Sequence, residues 1–339
     1  MRTAVFSSKP YDKRFLEKAN ASKADGRHVF SFFEDRLTAS TVSIAHGYPA
    51  VCVFVNDDLS APALEQLALG GTQYLVLRCA GFNQVDLKAA AHFGFDVRRV
   101  PAYSPYAVAE FTLGMILTLN RKYHRAFNRV REGNFGIDGL LGFDLHGSTV
   151  GVVGTGKIGL LTAKPLAAMG CAILGYDPFP NDLFRQIGGC YVSLDELFAK
   201  SDIISLHCPL TPQSRHLIDA ASLERMKPGV MLINTSRGAL VDAVALIDAL
   251  KSGQVGALGL DVYEQEADLF YEDLSGEIIQ DDVLQRLLMF PNVLITSHQA
   301  FFTSTALRKI AETTIQNLND LEAGRASTNQ VRPENAYGK

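Results

Sequence analysis

The chain has 339 residues, with 32 Lys and Arg against 36 Asp and Glu, a formal net charge of −4 and 47% hydrophobic residues. That length suits two domains with ample apolar content for their cores, and a nearly balanced charge without basic blocks argues against a nucleic-acid surface. The opening MRTAVFSSKPYDKRF holds an apolar run too short for a secretory signal or a membrane span, and the five cysteines form no CxxC pair. A cytoplasmic protein without disulfides or a metal centre is expected.

From residue 3 to residue 100, the runs TAVF, HVFSFF, AVCVFV, YLVL and DVRRV alternate with helix-like segments. This alternation predicts a parallel sheet covered on both faces. No complete phosphate-binding fingerprint occurs among these runs, so a smaller, non-nucleotide domain is expected. The prolines of PAYSP, residues 101 to 105, mark an interdomain crossing. Tyr106 to Arg131 then reads as one long segment, its apolar half VAEFTLGMILTL giving way to the basic RKYHRAFNRVR. It suits either a hinge or subunit contact, or a core helix with a solvated end.

Thr149 to Asp177 reads TVGVVGTGKIGLLTAKPLAAMGCAILGYD: a strand, a glycine turn, a helix and a second strand closing on an acid. In such a dinucleotide-binding βαβ unit, Gly154 permits the tight turn, Gly156 lets the backbone approach a pyrophosphate and Gly159 lets helix and sheet pack closely. The helix N-terminus would face the phosphates. Asp177, 23 positions after Gly154, stands where the adenosine ribose hydroxyls are received, and its charge favours NAD over NADP. Pro165 falls inside the helix and is expected to kink it.

The alternation resumes with Leu194 to Lys200 as helix, DIISLHC as strand, SLERM as helix and GVMLINTS as strand. DAVALIDALKSG follows as helix, VGALGLDV and PNVLITSH as strands, and Thr303 to Ala323 as a terminal helix that folds back onto the first domain.

Ligands of open parallel sheets sit beyond the carboxyl ends of the strands, and three reactive residues follow such ends. Arg237 ends LINTSRG, Glu266 lies five positions beyond Asp261 of LGLDVYEQE, and His298 closes VLITSH. Hydride exchange between a nicotinamide and a 2-hydroxy or 2-keto acid needs a cation for the carboxylate and a proton donor for the developing alkoxide. Arg237 supplies a fork-shaped cation, His298 a group that titrates near neutrality, and Glu266 a carboxylate that favours its imidazolium form. Singly, each has an ordinary alternative as a surface charge, a solvated loop acid or a packed histidine.

His207, ahead of Cys208 and Pro209, is assigned to the cofactor wall. His28, His46, His92, His124, His146 and His216 are read as surface or packing residues. The loop Arg78-Cys79-Ala80-Gly81-Phe82-Asn83 follows YLVL, and the small Ala80 and Gly81 can present backbone N–H groups to a carboxylate. Tyr103 is expected in the cleft or at the hinge.

The motifs GTGKIG, YDP, SLHCPLT, LINTSRGALVD, GLDVYEQEADLFYED and ITSHQAFFT resemble the D-2-hydroxyacid dehydrogenase family, most closely its fermentative lactate-forming branch, over nearly the whole chain. The resemblance implies that Arg237, Glu266 and His298 are the catalytic set. It places Lys157 and Ile158 at the pyrophosphate turn, Cys208 and Pro209 beside the adenosine, Thr235, Ser236 and Asp261 on the nicotinamide side, and Ser214 at an NAD contact. RCAGFNQVD resembles the substrate loop, so that Arg78, Cys79, Ala80 and Gly81 join Tyr103, Arg237 and His298 as substrate residues. The acidic stretch from Ala267 to Asp282 resembles the lactate branch.

The implied activity is reduction of pyruvate to D-lactate by NADH, with His298 as general acid, in a homodimer or homotetramer. Gln299 and Pro165 depart from the usual pattern. The expected fold is α/β, with two doubly wound parallel-sheet domains. Residues 1–101 plus 299–339 would form a smaller flavodoxin-like substrate domain and residues 102–298 a Rossmann NAD-binding domain, closing on the substrate. The alternatives are another 2-keto acid, such as hydroxypyruvate, glyoxylate or a bulkier one, and an NAD(H)-sensing binding protein.

Overall fold

The computed structural model describes residues 1–335; residues 336–339 of the expected smaller domain lie outside the described residues. The chain divides into two compact units, Met1–Ser104 with Phe302 onward, and Pro105–Phe301.

In the first unit, the β-branched and aromatic runs form β1 (Arg2–Val5), β2 (Val29–Phe32), β3 (Ala50–Val53), β4 (Tyr74–Leu77) and β5 (Asp96–Arg99). They pair in parallel in the order β2-β1-β3-β4-β5, the flavodoxin-like order. The helix Ser304–Glu322, capped by the Thr303 hydroxyl, belongs to this unit, and its Ala311, Ile315, Leu318 and Leu321 share a core with Val5, Cys52 and Val76. Each fully buried aliphatic side chain of this kind contributes about 1.5–3 kcal/mol. Beyond that helix the chain runs antiparallel to β5, pairing Gln330 with Arg98 and donating from Val331 N to Val97 O at 2.8 Å.

The second unit holds β6 (Thr149–Val153), β7 (Ala172–Tyr176), β8 (Cys190–Tyr191), β9 (Ile203–Leu206), β10 (Val230–Asn234), β11 (Val255–Leu260) and β12 (Val293–Ile295). Their order is β12-β11-β10-β9-β6-β7-β8, all parallel, which reverses direction between β6 and β9 as in a doubly wound dinucleotide fold. Both faces are covered, so successive strand residues enter opposite cores. Val152, Ile203 and Ile233 meet Met115, Ile116 and Leu119 of the helix Pro105–Arg121 on one face, while Val153, Ile204 and Leu232 pack on the other.

The segment expected as one long helix is two. Pro105–Arg121 ends at Lys122, whose φ of 53° is left-handed, and Tyr123–Arg131 begins a new helix with no buried residue. Tertiary burial rewards only the apolar half, so the basic half is free to turn away. The helix after β6 runs from Lys157 to Ala168 as one element with Pro165 inside it. The two-residue β8 and the short helices Asp182–Gln186 and Asp282–Leu288 were not marked by sequence periodicity.

Candidate active site

The turn after β6 is built on glycine chemistry. Gly154 has φ +92°, and a Cβ there would lie 2.6 Å from Cys208 N, so the turn presses directly on the loop after β9. A Cβ on Gly159 would come within 2.0 Å of the Gly154 carbonyl oxygen, which seats the helix against the strand. Gly156 is the opposite case. Its Cβ would meet nothing within 4 Å, and no side chain caps the helix that starts at Lys157 and Ile158.

An uncapped first turn leaves N–H groups for an anion, and the open space over Gly156 lets one approach the backbone. Asp177, directly after β7, accepts from Thr155 N at 2.7 Å and Phe179 N at 2.9 Å. These residues fit a dinucleotide with its pyrophosphate on the turn and a ribose at the acid. Among the described residues, no group of three or more His, Cys, Asp or Glu is placed to hold a metal ion.

His207, Cys208 and Pro209 follow β9. His207 N donates to Val153 O at 2.7 Å and its Nε2 lies 2.9 Å from Ser205 Oγ, while burial pushes its imidazole down to about 4. Burial likewise pushes the Cys208 thiol up to about 11. The Ser214 hydroxyl donates to Pro209 O at 2.7 Å and accepts from Thr211 N at 2.8 Å, so it braces the turn after this loop.

After β10, Thr235 is buried with its hydroxyl 2.9 Å from that of Thr112, and Ser236 Oγ donates to Cys208 O at 2.7 Å. The half-buried Arg237 donates from Nη1 to Ser236 O at 2.6 Å. A Cβ on the next residue, Gly238, would fall 2.0 Å from the Tyr263 carbonyl carbon, which brings the arginine loop against the loop carrying Glu266.

Glu266 and His298 arrive from different strands and meet. His298 Nδ1 stands 2.7 Å from Glu266 Oε1, with the side chains 17% and 18% exposed, and Glu266 Oε2 accepts from Tyr263 N at 2.9 Å. The pair orients the imidazole and leaves Nε2 without a hydrogen-bond partner among the described residues. His298 sits at φ +52°, a strained conformation for histidine, and its loop is held by a buried acid. Asp261, fully buried after β11, accepts from Thr296 Oγ1 at 2.6 Å, Gln299 N at 2.9 Å and Ala300 N at 2.9 Å. Burial raises its carboxyl above the ordinary range, opposed by the Thr296 hydroxyl, the His298 charge and these amides. His298 N in turn donates to Asp261 O at 2.7 Å.

The loop after β4 lies in the first unit. Arg78 is 1% exposed and turned inward: Nε donates to Asp12 Oδ1 at 3.2 Å, Nη2 to Ser7 O at 2.6 Å, and Nη1 has no hydrogen-bond partner among the described residues. Its guanidinium is therefore engaged with the N-terminal segment of the unit and is not exposed as a substrate contact, contrary to the expectation for this residue. Cys79 Sγ contacts Gly81 O at 3.2 Å and Ala80 O accepts from Arg99 Nη1 at 2.8 Å, while the Ala80 and Gly81 amides have no acceptor among the described residues. Tyr103 is half-buried just before the helix Pro105–Arg121.

Sequence reasoning missed the residues that hold these groups: Tyr263 through its amide, Thr112 through its hydroxyl, and Tyr271, whose phenol donates to His298 O at 3.2 Å. Tyr271 lies within the acidic stretch from Ala267 to Asp282, but no local pattern marks a contact across 27 positions.

The profile of the D-isomer specific 2-hydroxyacid dehydrogenase NAD-binding domain matches residues 113–300. The D-lactate dehydrogenase of Escherichia coli K12 is 52% identical over 331 residues, covering 98% of this chain and all of that enzyme. The apo structure of the Escherichia coli D-lactate dehydrogenase superposes with a TM-score of 0.88 at 49% identity, covering 98% of this chain and 100% of the other. The Aquifex aeolicus D-lactate dehydrogenase, solved with NAD and lactic acid, gives a TM-score of 0.84 at 33% identity over 95% of this chain and 96% of its own. The uncapped glycine turn, the acid after β7 and the histidine–glutamate pair are thus set in a chain that belongs to the D-2-hydroxyacid dehydrogenase family of NAD-dependent oxidoreductases.

Proposed function

We propose that the protein reduces pyruvate to D-lactate, and that Arg237, Glu266 and His298 carry the reaction. The observation that carries this reading is the 2.7 Å His298–Glu266 pair, which fixes the ring through Nδ1 and leaves Nε2 without a hydrogen-bond partner among the described residues. Bound NADH supplies the hydride to the keto carbon. Arg237 binds the substrate carboxylate and polarises the carbonyl with guanidinium donors that the Ser236 contact leaves over. His298 donates its Nε2 proton to the developing alkoxide while Glu266 stabilises the imidazolium through Nδ1. The Ala80 and Gly81 amides, in the loop that begins with the inward-turned Arg78 and Cys79, are a second proposed carboxylate contact, and Tyr103 is a further one.

For the cofactor, we assign Gly154, Gly156, Lys157, Ile158 and Gly159 to the pyrophosphate and Asp177 to the ribose. His207, Cys208, Pro209 and Ser214 are assigned to the adenosine side, and Thr235, Ser236 and Asp261 to the nicotinamide side. The smaller unit, which the notional boundaries 1–101 and 299–339 approximate, is the proposed substrate domain; residues 102–298 are the proposed NAD domain.

The D configuration follows the family, and the lactate branch is supported by the named relatives. Steady-state assays with a panel of 2-keto acids, NADH and NADPH test this. Pyruvate with NADH should have the highest kcat/KM and yield D-lactate; formation of L-lactate, or preference for hydroxypyruvate, refutes the assignment. His298→Ala should lower kcat by about 10²–10⁴-fold. A deficit below about tenfold removes His298 as the acid.

A cytoplasmic homo-oligomer is also proposed. Among the described residues the cysteines form no disulfide, which suits a reducing compartment, and no described helix is long and apolar enough to cross a membrane. Tyr123, Phe127 and Val130 on the helix Tyr123–Arg131, with Phe135, Ile137 and Leu141 after it, are exposed apolar groups suited to a second copy. Sedimentation of the wild type and of Phe127→Glu reads this directly: a dimer or tetramer for the first and dissociation for the second.

A further inference from the structure

The acid after β7 is held by more than its own turn. Thr155, 1% exposed, donates to Asp177 Oδ2 from its amide at 2.7 Å and from its hydroxyl at 3.3 Å. The same Thr155 hydroxyl lies 2.5 Å from the phenol oxygen of Tyr191, which accepts from Asn181 N at 2.7 Å. Asn181 Nδ2 closes the loop by donating to Thr155 O at 3.3 Å. One set of protons satisfies the series: Asn181 N–H to Tyr191, Tyr191 O–H to Thr155, Thr155 O–H to Asp177. The competing contact from the phenol to Asn181 O is longer, at 3.4 Å.

Such a directional chain ending on a carboxylate strengthens each member. Its phenol cannot drift, because the Tyr191 ring packs 5.2 Å from the Phe184 ring and 4.9 Å from the Arg185 guanidinium. Tyr191 is half of the two-residue β8, at the sheet edge beside β7. The strand therefore delivers a hydroxyl from the sheet edge to the glycine turn.

We propose that Tyr191, acting through Thr155, is a positioning residue that sets the preference for NAD over its 2'-phosphorylated form. The inference rests on the reading of Asp177 as the ribose acid. Two Thr155 donors and the Phe179 amide fix the carboxylate, so its remaining lone pairs and its charge face one direction. A ribose diol gains from that fixed geometry, whereas a 2'-phosphate meets a charge that cannot swing aside. Loss of the phenol frees the Thr155 hydroxyl to rotate and loosens the acid.

The test compares NADH and NADPH dissociation constants, measured by nucleotide fluorescence titration, with steady-state kinetics. Tyr191→Phe should raise the NADH Kd and KM about five- to tenfold, with kcat and the NADPH Kd changed less than about twofold. The NADH preference contracts by the same factor. Thr155→Val should act alike, and the double variant should be no worse than either alone, since both break one chain. Thr155→Ser should retain the preference. If both Tyr191→Phe and Thr155→Val keep the wild-type preference, or weaken both nucleotides equally, the inference is overturned and the network serves only folding. Asp177→Ala separates the two readings: an unchanged NADH Kd there refutes the ribose assignment, while a loss there with an intact preference in the other variants refutes only the positioning role.

Discussion

Arg78, directly after β4 of the first unit, and Asp261, directly after β11 of the second, are both buried charged residues, and they serve different ends. Asp261 meets three donors from residues 296 to 300, so its partners lie in the loop that holds His298, the proposed acid. Arg78 meets Asp12 and the Ser7 carbonyl, near the start of the chain, and leaves Nη1 unsatisfied. Around it the fully enclosed Asp57 is raised by burial against the pull of Arg78, and Tyr11 is pushed up to about 12 by burial and Asp12. A buried acid saturated by backbone amides shapes one loop, whereas a buried ion pair ties distant segments of a unit together. The difference lies in the sequence distance of the partners.

The largest expected effect breaks the Arg78 side. Arg78→Met should cost about 3–5 kcal/mol of unfolding free energy by denaturant titration, because Asp12 is left buried without its cation. Adding Asp12→Asn should recover part of that loss. Asp261→Asn should separate the two cases in the other direction. Turnover should fall about a hundredfold as His298 loses its geometry, with a smaller stability loss of about 1–3 kcal/mol. If Asp261→Asn is as destabilising as Arg78→Met and leaves kcat intact, the contrast between the two charges collapses.

The smallest effect concerns His207, whose imidazole is held down to about 4 from 6.5 by burial. The unfolded chain takes up that proton first, so the contribution to stability is full above the unfolded value and is lost as the pH falls towards the folded one. Between pH 7 and 5, His207→Asn should flatten the pH dependence of stability by no more than about 1.4 kcal/mol per pH unit. An equal slope in variant and wild type places the ring in solvent.

The glycine turn, the strand-end reactive residues and the αβ alternation were legible because each depends on local conformation or on the period of a buried strand. Glu266 and His298 were readable as candidates, and only the fold set them 2.7 Å apart. Arg78 was readable as a loop residue but not as an inward one, because its direction depends on Asp12, 66 positions away. Lys122 breaks a pattern that periodicity joins, since burial ends at Leu119 and Asn120 and the basic helix beyond has none. Tyr191 was silent for the same reason: its role lies in a hydrogen bond to Thr155, 36 positions distant.

Sequence alone therefore determined that a glycine turn, an acid after the second strand of that unit, and Arg237, Glu266 and His298 would follow strand ends. Those features follow from backbone conformation and burial, which act within a few residues. The tertiary structure decided which side chains face each other: the partner of His298, the burial of Arg78, the clamp of Asp261 and the relay from Tyr191 to Asp177. Hydrogen bonds act over about 3 Å in space and are blind to separation along the chain.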